Sequence, residues 1–590
     1  MTRRLWTLPV LALALSLPPR EAEACGGTFC DTGPNAMPVP QTGENIMFVM
    51  GDGFTEAHIQ IQYDPTTTAA KFAWVVPMTL VPEFSVGSQP LFDNMLAGTV
   101  PAYGFNYQFD SCGDGGGGLS STGSSATDPT GAGGDEGSGE SDTGPTVVLE
   151  QTVGAFDITV LSGGTAAEVM TWLGDNGYQQ DPAAEPILGE YLAENYVFAA
   201  FKLTNGADVA EIHPVTLRFA SEEACVPIRL TRIAAAEDME IRTFFLAANR
   251  VVPQTYKHVL VNPLKLDWPN FAANYKEMIT LAVDAFEADG KAFVTEYAGS
   301  VDIVSPAGIS SDQWSAAAFA GLPAIDVVDT LTSQGLMFCD VDFGECTFQH
   351  GLVPGLLATH LPVPDGLSEF EFYSCLSCNE AMIDVAAWDE GNGFAADMQQ
   401  RIVAPGVHAL ELLGQYATLT RMYTTMSGAE MTADPFFWEN PDLPDVNLTQ
   451  SLATRRVLCN GDAVWTLPDA REVYVPNDGP WPAFGDEMPY EEEVSQMPAV
   501  GAPQLLVDNK EMINVQLATY NCALGWPGDS CGGNADSGGT GSDSSSGSSG
   551  GLDDDGGCGC RTDGPDGPNG LALVPMVVFV VACRRRRARS

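Results

Sequence analysis

Residues 44–63 read Glu44-Asn45-Ile46-Met47-Phe48-Val49-Met50-Gly51-Asp52-Gly53-Phe54-Thr55-Glu56-Ala57-His58-Ile59-Gln60-Ile61-Gln62-Tyr63. An unbroken apolar run from Ile46 to Met50 gives way to Gly51-Asp52-Gly53, whose residue types supply turn conformations. From His58 to Gln62 apolar and polar side chains then alternate. Alternation with period two is the pattern of a strand with one face in the core and one in water. The stretch therefore predicts two strands joined by a turn, the second with a wet face. After Asp64-Pro65, Lys71-Phe72-Ala73-Trp74-Val75-Val76-Pro77 adds a third run rich in β-branched and aromatic residues.

Further along, residues 113–145 are nearly all Gly, Ser, Thr, Asp and Glu, too polar to bury the apolar surface that ordering them would require. Strand-like sequence on both sides makes them a disordered insertion looped out of one domain. Residues 146–161 return to strand. Thr165-Ala166-Ala167-Glu168 is a capping box that opens a helix through Val169, Trp172 and Leu173, ended by Gly174 and Gly177. A second helix is predicted over 185–195, with strands over 196–204, 215–219 and 244–248. From Asp267, Tyr275, Met278, Ile279, Ala282 and Phe286 recur at helical spacing, and 408–426 predicts another helix carrying Leu412, Tyr416, Leu419 and Tyr423 on one side. The fold class is α+β. A β-rich domain with a few helices spans 25–255 and a mixed α/β domain spans 256–531.

The 590 residues include 26 Lys and Arg against 77 Asp and Glu, a net charge of −51 that opposes contact with nucleic-acid phosphates. The first 24 residues place Arg3 and Arg4 before an apolar core over 8–17 and small residues at Ala22 and Ala24, the layout of a signal peptide cut by signal peptidase. Cleavage after Ala24 leaves Cys25 first, but Ala22 and Glu23 depart from a lipoprotein signal. At the other end, a Gly/Ser/Asp-rich spacer over 532–557 precedes Cys558 and Cys560, a hydrophobic segment over 571–583, and Arg584 to Arg587 with Arg589. The arginines hold this end on the cytoplasmic side, while the apolar stretch is short against the roughly 20 residues of a comfortable span.

This order of parts resembles the C-terminal sorting tails of myxobacteria called MYXO-CTERM, with Cys558 and Cys560 at the family's cysteine motif. The resemblance covers 558–590. It implies removal of the tail near the cysteine by a sorting protease, and display at the cell surface or outer membrane of a Gram-negative bacterium through lipid on the cysteine. A plain tail anchor, in which a transmembrane helix persists, is the alternative. The exported part in turn resembles the bacterial family known as domain of unknown function 2330. The resemblance is carried by Ala24-Cys25-Gly26-Gly27, Phe72-Ala73-Trp74-Val75-Val76-Pro77, Trp172-Leu173 with Asn176-Gly177-Tyr178, 198–202 and Pro227-Ile228-Arg229-Leu230, and it continues through 293–297, 419–425 and Asp434-Pro435. It implies export and a shared fold, with no assigned reaction and hence no catalytic residues to carry over.

Fourteen cysteines suit an oxidising compartment. Cys25 with Cys30, Cys339 with Cys346, Cys375 with Cys378, and Cys522 with Cys531 are near pairs that favour local disulfide bonds. Cys375-Leu376-Ser377-Cys378 also fits half a zinc site or a redox motif, but only distant Cys339 or Cys346 offer themselves as the two further zinc ligands, and no βαβ setting accompanies it. Between Cys25 and Cys531, inclusive, the cysteines number eleven, so one pairs elsewhere or stays free. Asp340, Asp342 and Glu345, held between Cys339 and Cys346, gather three carboxylates in a short loop as a candidate Ca²⁺ site, without the spacing of an EF-hand. The six histidines are scattered, and His408 has only Glu411 near it on its predicted helix. Glu277 and Glu296 are a candidate carboxylate pair. A serine elbow, a phosphate loop and a dinucleotide fingerprint are all absent from the settings those motifs require, and no cofactor is identified. These observations favour a non-enzymatic surface protein, a binding or envelope-structural module whose surface ligand the sequence does not specify. The alternative is a surface hydrolase using carboxylates or a bound cation.

Overall fold

The run Ile46–Val49 sits in the middle of the largest sheet and is buried on both faces, which is why it is apolar at every position rather than at every second one. A computed structural model describes residues 41–63, 73–111, 144–178, 181–204, 212–233 and 235–526. The expected signal peptide, nearly all of the insertion, the spacer and the sorting tail, with Cys25, Cys30, Cys531, Cys558 and Cys560, lie outside the described residues.

The main sheet has eleven strands: β1 (Gln41–Gly51), β2 (Phe54–Tyr63), β3 (Glu83–Val86), β4 (Val215–Phe219), β5 (Ala235–Ala247), β6 (Lys257–Val261), β7 (Ala292–Ser300), β8 (Thr418–Met426), β9 (Val446–Asn447), β10 (Glu491–Gln496) and β11 (Gln504–Asp508). Their order is β11-β10-β6-β7-β8-β5-β1-β2-β4-β3, with β9 also paired to β7. Strands β1 and β5 run parallel, as do β6 and β7, and the other pairs are antiparallel. Four helices matter below: α1 (Gln89–Thr99), α2 (Tyr275–Val283), α3 (Ala404–Gln415) and α4 (Lys510–Ala523). On one face of the sheet, Ile46 and Phe48 pack against Trp74, Val76, Ile158 and Phe201 of a four-stranded sheet made by Ala73–Met78, Thr146–Val153, Phe156–Ser162 and Val197–Leu203. On the other face, Met47 and Val49 meet Leu91, Phe92 and Met95 of α1 and Ala409 and Leu412 of α3. A second four-stranded sheet joins Tyr103–Phe109, Ser451–Val457, Ala463–Thr466 and Glu472–Val475.

The class is α+β, as the sequence predicts. The division at residue 255 is not a division of the fold, because the main sheet takes strands from both sides of it and backbone hydrogen bonds cross between them. Residues 301–403 connect the adjacent strands β7 and β8 by way of a largely helical body with its own core, including Phe319, Leu331, Leu357, Trp388 and Phe394. That body carries the disulfides Cys339–Cys346, which closes the hairpin of Met337–Asp340 and Glu345–Phe348, and Cys375–Cys378. Cys459 and Cys522 are also disulfide-bonded, and Cys225 is a free thiol.

Local signals hold where they are local. The helix Ala166–Asp175 opens on the Thr165 and Glu168 capping box, with Thr165 N–H donating to the Glu168 carboxylate at 2.8 Å. Two helices end sooner than their periodicity suggests. The one expected over 408–426 stops at Gln415, and Thr418–Met426 is strand β8 in the centre of the sheet. Its threonines and alternating apolar residues match both periods at once, and burial between strands β7 and β5 decides for the extended form. Before α2, Phe271 and Ala272 take positive φ of 56° and 55°, which separates the turn Trp268–Asn270 from the helix. The helix closes at Val283, so Phe286 is exposed rather than on the packed face.

Pairing of β7 with β8 slips by one residue between Thr295 and Tyr297, leaving Glu296 as the extra residue of a bulge. Bulges re-aim side chains. Here Glu296 is buried against Arg421 of β8, with Oε2 2.6 Å from Nε. The N–H is not aimed along that line, so the contact is an ion pair rather than a well-aligned hydrogen bond. Tyr275 of α2 donates to Glu296 Oε1 at 2.9 Å. Glu277 is exposed, and the two glutamates do not share a site. Among the described residues no helix is long and apolar enough to cross a membrane. The segment 571–583 lies outside them.

Candidate metal centre

Glu56 and His58 stand two residues apart on β2 and so project from the same face of the sheet. This is the face the alternation assigns to water, yet both residues are only 2% exposed. What covers them is α3. Its approach needs Gly406, where a Cβ would stand 2.3 Å from the carbonyl oxygen of Ile309. The helix enters through a π-turn over Gln399–Val403, a wide turn of the kind found at functional sites. The first turns of α3 bring His408 over β2.

A single carboxylate oxygen meets both imidazoles. Glu56 Oε1 is 2.7 Å from His58 Nε2 and 2.6 Å from His408 Nε2, and the two rings lie nearly parallel at 14° with centroids 6.0 Å apart. The groups that hold Glu56 and His58 from behind follow from strand register. Glu56 pairs across with Arg218 of β4, and His58 with Thr216. Arg218 Nη1 donates to the other Glu56 oxygen at 2.8 Å, and Thr216 Oγ1 is 3.0 Å from His58 Nδ1. The Arg218 guanidinium lies 3.6 Å from the centre of the Phe54 ring. His408 is the member that solvent reaches, with its side chain 38% exposed.

The protonation pattern follows from these contacts. Burial would push the Glu56 carboxyl up, but hydrogen bonds from His408 and His58 outweigh it and hold Glu56 well below the usual carboxylate range. His58 is pushed down by burial, against the pull of Glu56. His408 is pushed up, chiefly by its hydrogen bond to Glu56. The cluster therefore holds an ionised carboxylate, a buried imidazole that favours its neutral form, and a half-exposed imidazole.

Two imidazole nitrogens and a carboxylate oxygen, all within 4.8 Å of one another, are a donor set for a divalent transition metal. Bonds of about 2.0–2.1 Å at tetrahedral angles would set the donor atoms roughly 3.3 Å apart, so each imidazole nitrogen would move about 0.6–0.7 Å away from Glu56 Oε1. His408 has the exposure to make that adjustment. Thr216 suits either tautomer of His58: its hydroxyl donates to Nδ1 while Nε2–H faces Glu56, and would accept from Nδ1–H when Nε2 is a ligand.

A family model described as an uncharacterized protein conserved in bacteria (DUF2330) matches residues 19–336. The chain belongs to this family. No curated protein and no solved structure matches it. The DUF2330 match includes Glu56, His58, Thr216 and Arg218 and ends before His408, so the third donor comes from a part of the chain beyond the matched stretch.

The carboxylates singled out for Ca²⁺ are not brought together. Asp340 Oδ1 accepts from the backbone N–H of Asp342 and Phe343, so it stabilises its own turn, and Asp340, Asp342 and Glu345 form no convergent group. Sequence reasoning missed the real cluster because His408 is 352 residues from Glu56. The one legible sign is Glu56-Ala57-His58, two ionisable side chains on one face of a strand whose neighbours are apolar.

Proposed function

We propose that this DUF2330 protein is an exported, surface-anchored module that binds a divalent transition-metal ion through Glu56, His58 and His408. The observation that carries the metal reading is the convergence of both Nε2 atoms on one buried carboxylate oxygen whose partner oxygen is already held by Arg218. Nitrogen donors favour zinc-like ions over Ca²⁺, which prefers oxygen. Three protein donors with one half-exposed histidine leave room for a water ligand, and that favours a metal-assisted surface hydrolase as the second reading. Titrating the chelator-dialysed protein with Zn²⁺ and with Ca²⁺ in a calorimeter tests the first reading. One equivalent of Zn²⁺ taken up at a site indifferent to Ca²⁺ is the expected result, and no stoichiometric Zn²⁺ uptake overturns it.

The anchoring reading rests on the sequence at both ends. Signal peptidase and a C-terminal sorting protease are the processing partners, and the tail supplies the membrane contact. Replacing Cys558 and Cys560 together by Ser is expected to leave export intact, since that depends on the leader, and to abolish stable surface display. Deleting 584–589 should release protein to the medium. Mass analysis of the mature C-terminus separates a sorting signal from a permanent tail anchor: an intact 571–590 on the surface protein overturns the sorting reading.

A further inference from the structure

We propose that the cleft between the main sheet, the second four-stranded sheet and α4 binds a neutral, mainly apolar small molecule carrying an aromatic ring. The cleft has a volume of about 650 Å³, inside the roughly 300–1,000 Å³ of ordinary ligand pockets. None of Glu56, His58 and His408 lines it, so it is independent of the metal centre.

Its wall sets the ligand class. Tyr103, Trp268 and Tyr275 form one aromatic cluster, with Tyr103 5.5 Å from Trp268 edge to face and 5.3 Å from Tyr275. Leu266, Val294 and Leu448 are among the aliphatic residues that extend the apolar lining. An incoming ring extends the cluster in the geometries aromatic pairs prefer. The inner polar atoms are already engaged. Tyr275 donates to Glu296, and Thr295 Oγ1 lies 2.9 Å from His258 Nε2 and accepts from Arg250 at 3.3 Å. Water there finds few strong partners, and an apolar molecule that displaces it loses little hydrogen bonding.

The mouth excludes anions. Arg471 is satisfied by Glu492 at 2.8 Å, Asp469 at 3.0 Å and the Asn514 carbonyl at 2.8 Å, and Lys510 by Glu493 at 2.5 Å. Two cations face three carboxylates, which leaves no positive charge for an anionic head group, and the acidity of the whole chain adds to the effect.

N-phenyl-1-naphthylamine, neutral and fluorescent in apolar surroundings, tests this against 1-anilinonaphthalene-8-sulfonate, which has the same rings plus a sulfonate. The neutral dye should bind saturably at one equivalent, and the sulfonate roughly tenfold more weakly or worse. Leu448→Trp fills the interior and Asn514→Trp narrows the mouth, and each should weaken the neutral dye by about tenfold or more. Asn514 is exposed, so its variant reports on the cleft even if Leu448→Trp does not fold. No saturable binding of the neutral dye, equal affinity for the two dyes, or undiminished binding in Asn514→Trp overturns the proposal.

Discussion

Glu56→Gln is expected to bind Zn²⁺ roughly a hundredfold more weakly than the unaltered protein, or worse. Loss of an outer-shell partner alone costs about 10–100-fold in metal affinity, and this change removes an inner donor together with its charge. Glutamine keeps the shape, so β2 and its pairing with β4 should persist. Arg218 loses its ion pair, but its side chain is 41% exposed and water can replace the carboxylate, so the stability cost should stay near about 1 kcal/mol. Glu411→Gln is the control. Glu411 is an exposed carboxylate one turn along α3 that acts on His408 only through its charge, and its loss should change the affinity little. Calorimetric titration of the two variants side by side reads the difference. If Glu56→Gln binds within about threefold of wild type, the carboxylate is not a ligand and the metal reading falls.

Arg421→Met is expected to cost about 3–5 kcal/mol of folding stability, the largest single effect foreseen here. Arg421 and Glu296 have side chains 4% and 1% exposed. Removing the guanidinium leaves a carboxylate in the core with the Tyr275 hydroxyl as its hydrogen-bond partner and the more distant charge of Arg242, and also frees Thr99 Oγ1, to which Arg421 donates at 3.1 Å. Burial already pushes the Glu296 carboxyl up, and without Arg421 it rises further. A carboxyl whose pKa is higher in the folded than in the unfolded protein binds its proton more tightly when folded. The penalty is therefore present in full above the folded pKa and is relieved as the pH falls through it. Urea unfolding of the variant against wild type should thus show a gap that narrows on acidification. Adding Glu296→Leu should recover much of the loss, because two apolar groups replace the pair and no charge is left stranded. A gap below about 1 kcal/mol in the single variant would show that the bulge tolerates an unpaired glutamate.

Elements set by neighbouring residues were legible in the sequence. The capping box of Thr165 and Glu168 and the disulfides Cys339–Cys346 and Cys375–Cys378 involve partners at most seven residues apart, so composition and spacing carry the information. The same holds for the turn at Gly51-Asp52-Gly53 between β1 and β2. Reading failed where two patterns overlap. His408 to Gln415 is helix and Thr418 to Met426 is strand, yet Leu412, Tyr416, Leu419 and Tyr423 suit one helical face across both. The strand wins because β7 and β5 flank it and satisfy its backbone. For Asp340 the spacing fits both a Ca²⁺ ligand and an ordinary acidic turn, and the structure shows the turn, whose backbone N–H groups donate to Oδ1.

The sequence by itself carried the α+β class, the disulfides Cys339–Cys346 and Cys375–Cys378 and the acidic charge, since each depends on composition or on neighbouring residues, and the family through its resemblance. Tertiary structure decided what the polar face of β2 is for. Alternation in His58 to Gln62 says that one face is polar, and it is silent on whether water or protein meets that face. Packing of α3 across the sheet answers it, burying Glu56 and His58 and delivering His408 from 352 residues away. A buried carboxylate must be paired. That requirement is what gathers two imidazoles and an arginine around Glu56, and it arises only once the helix has covered the strand.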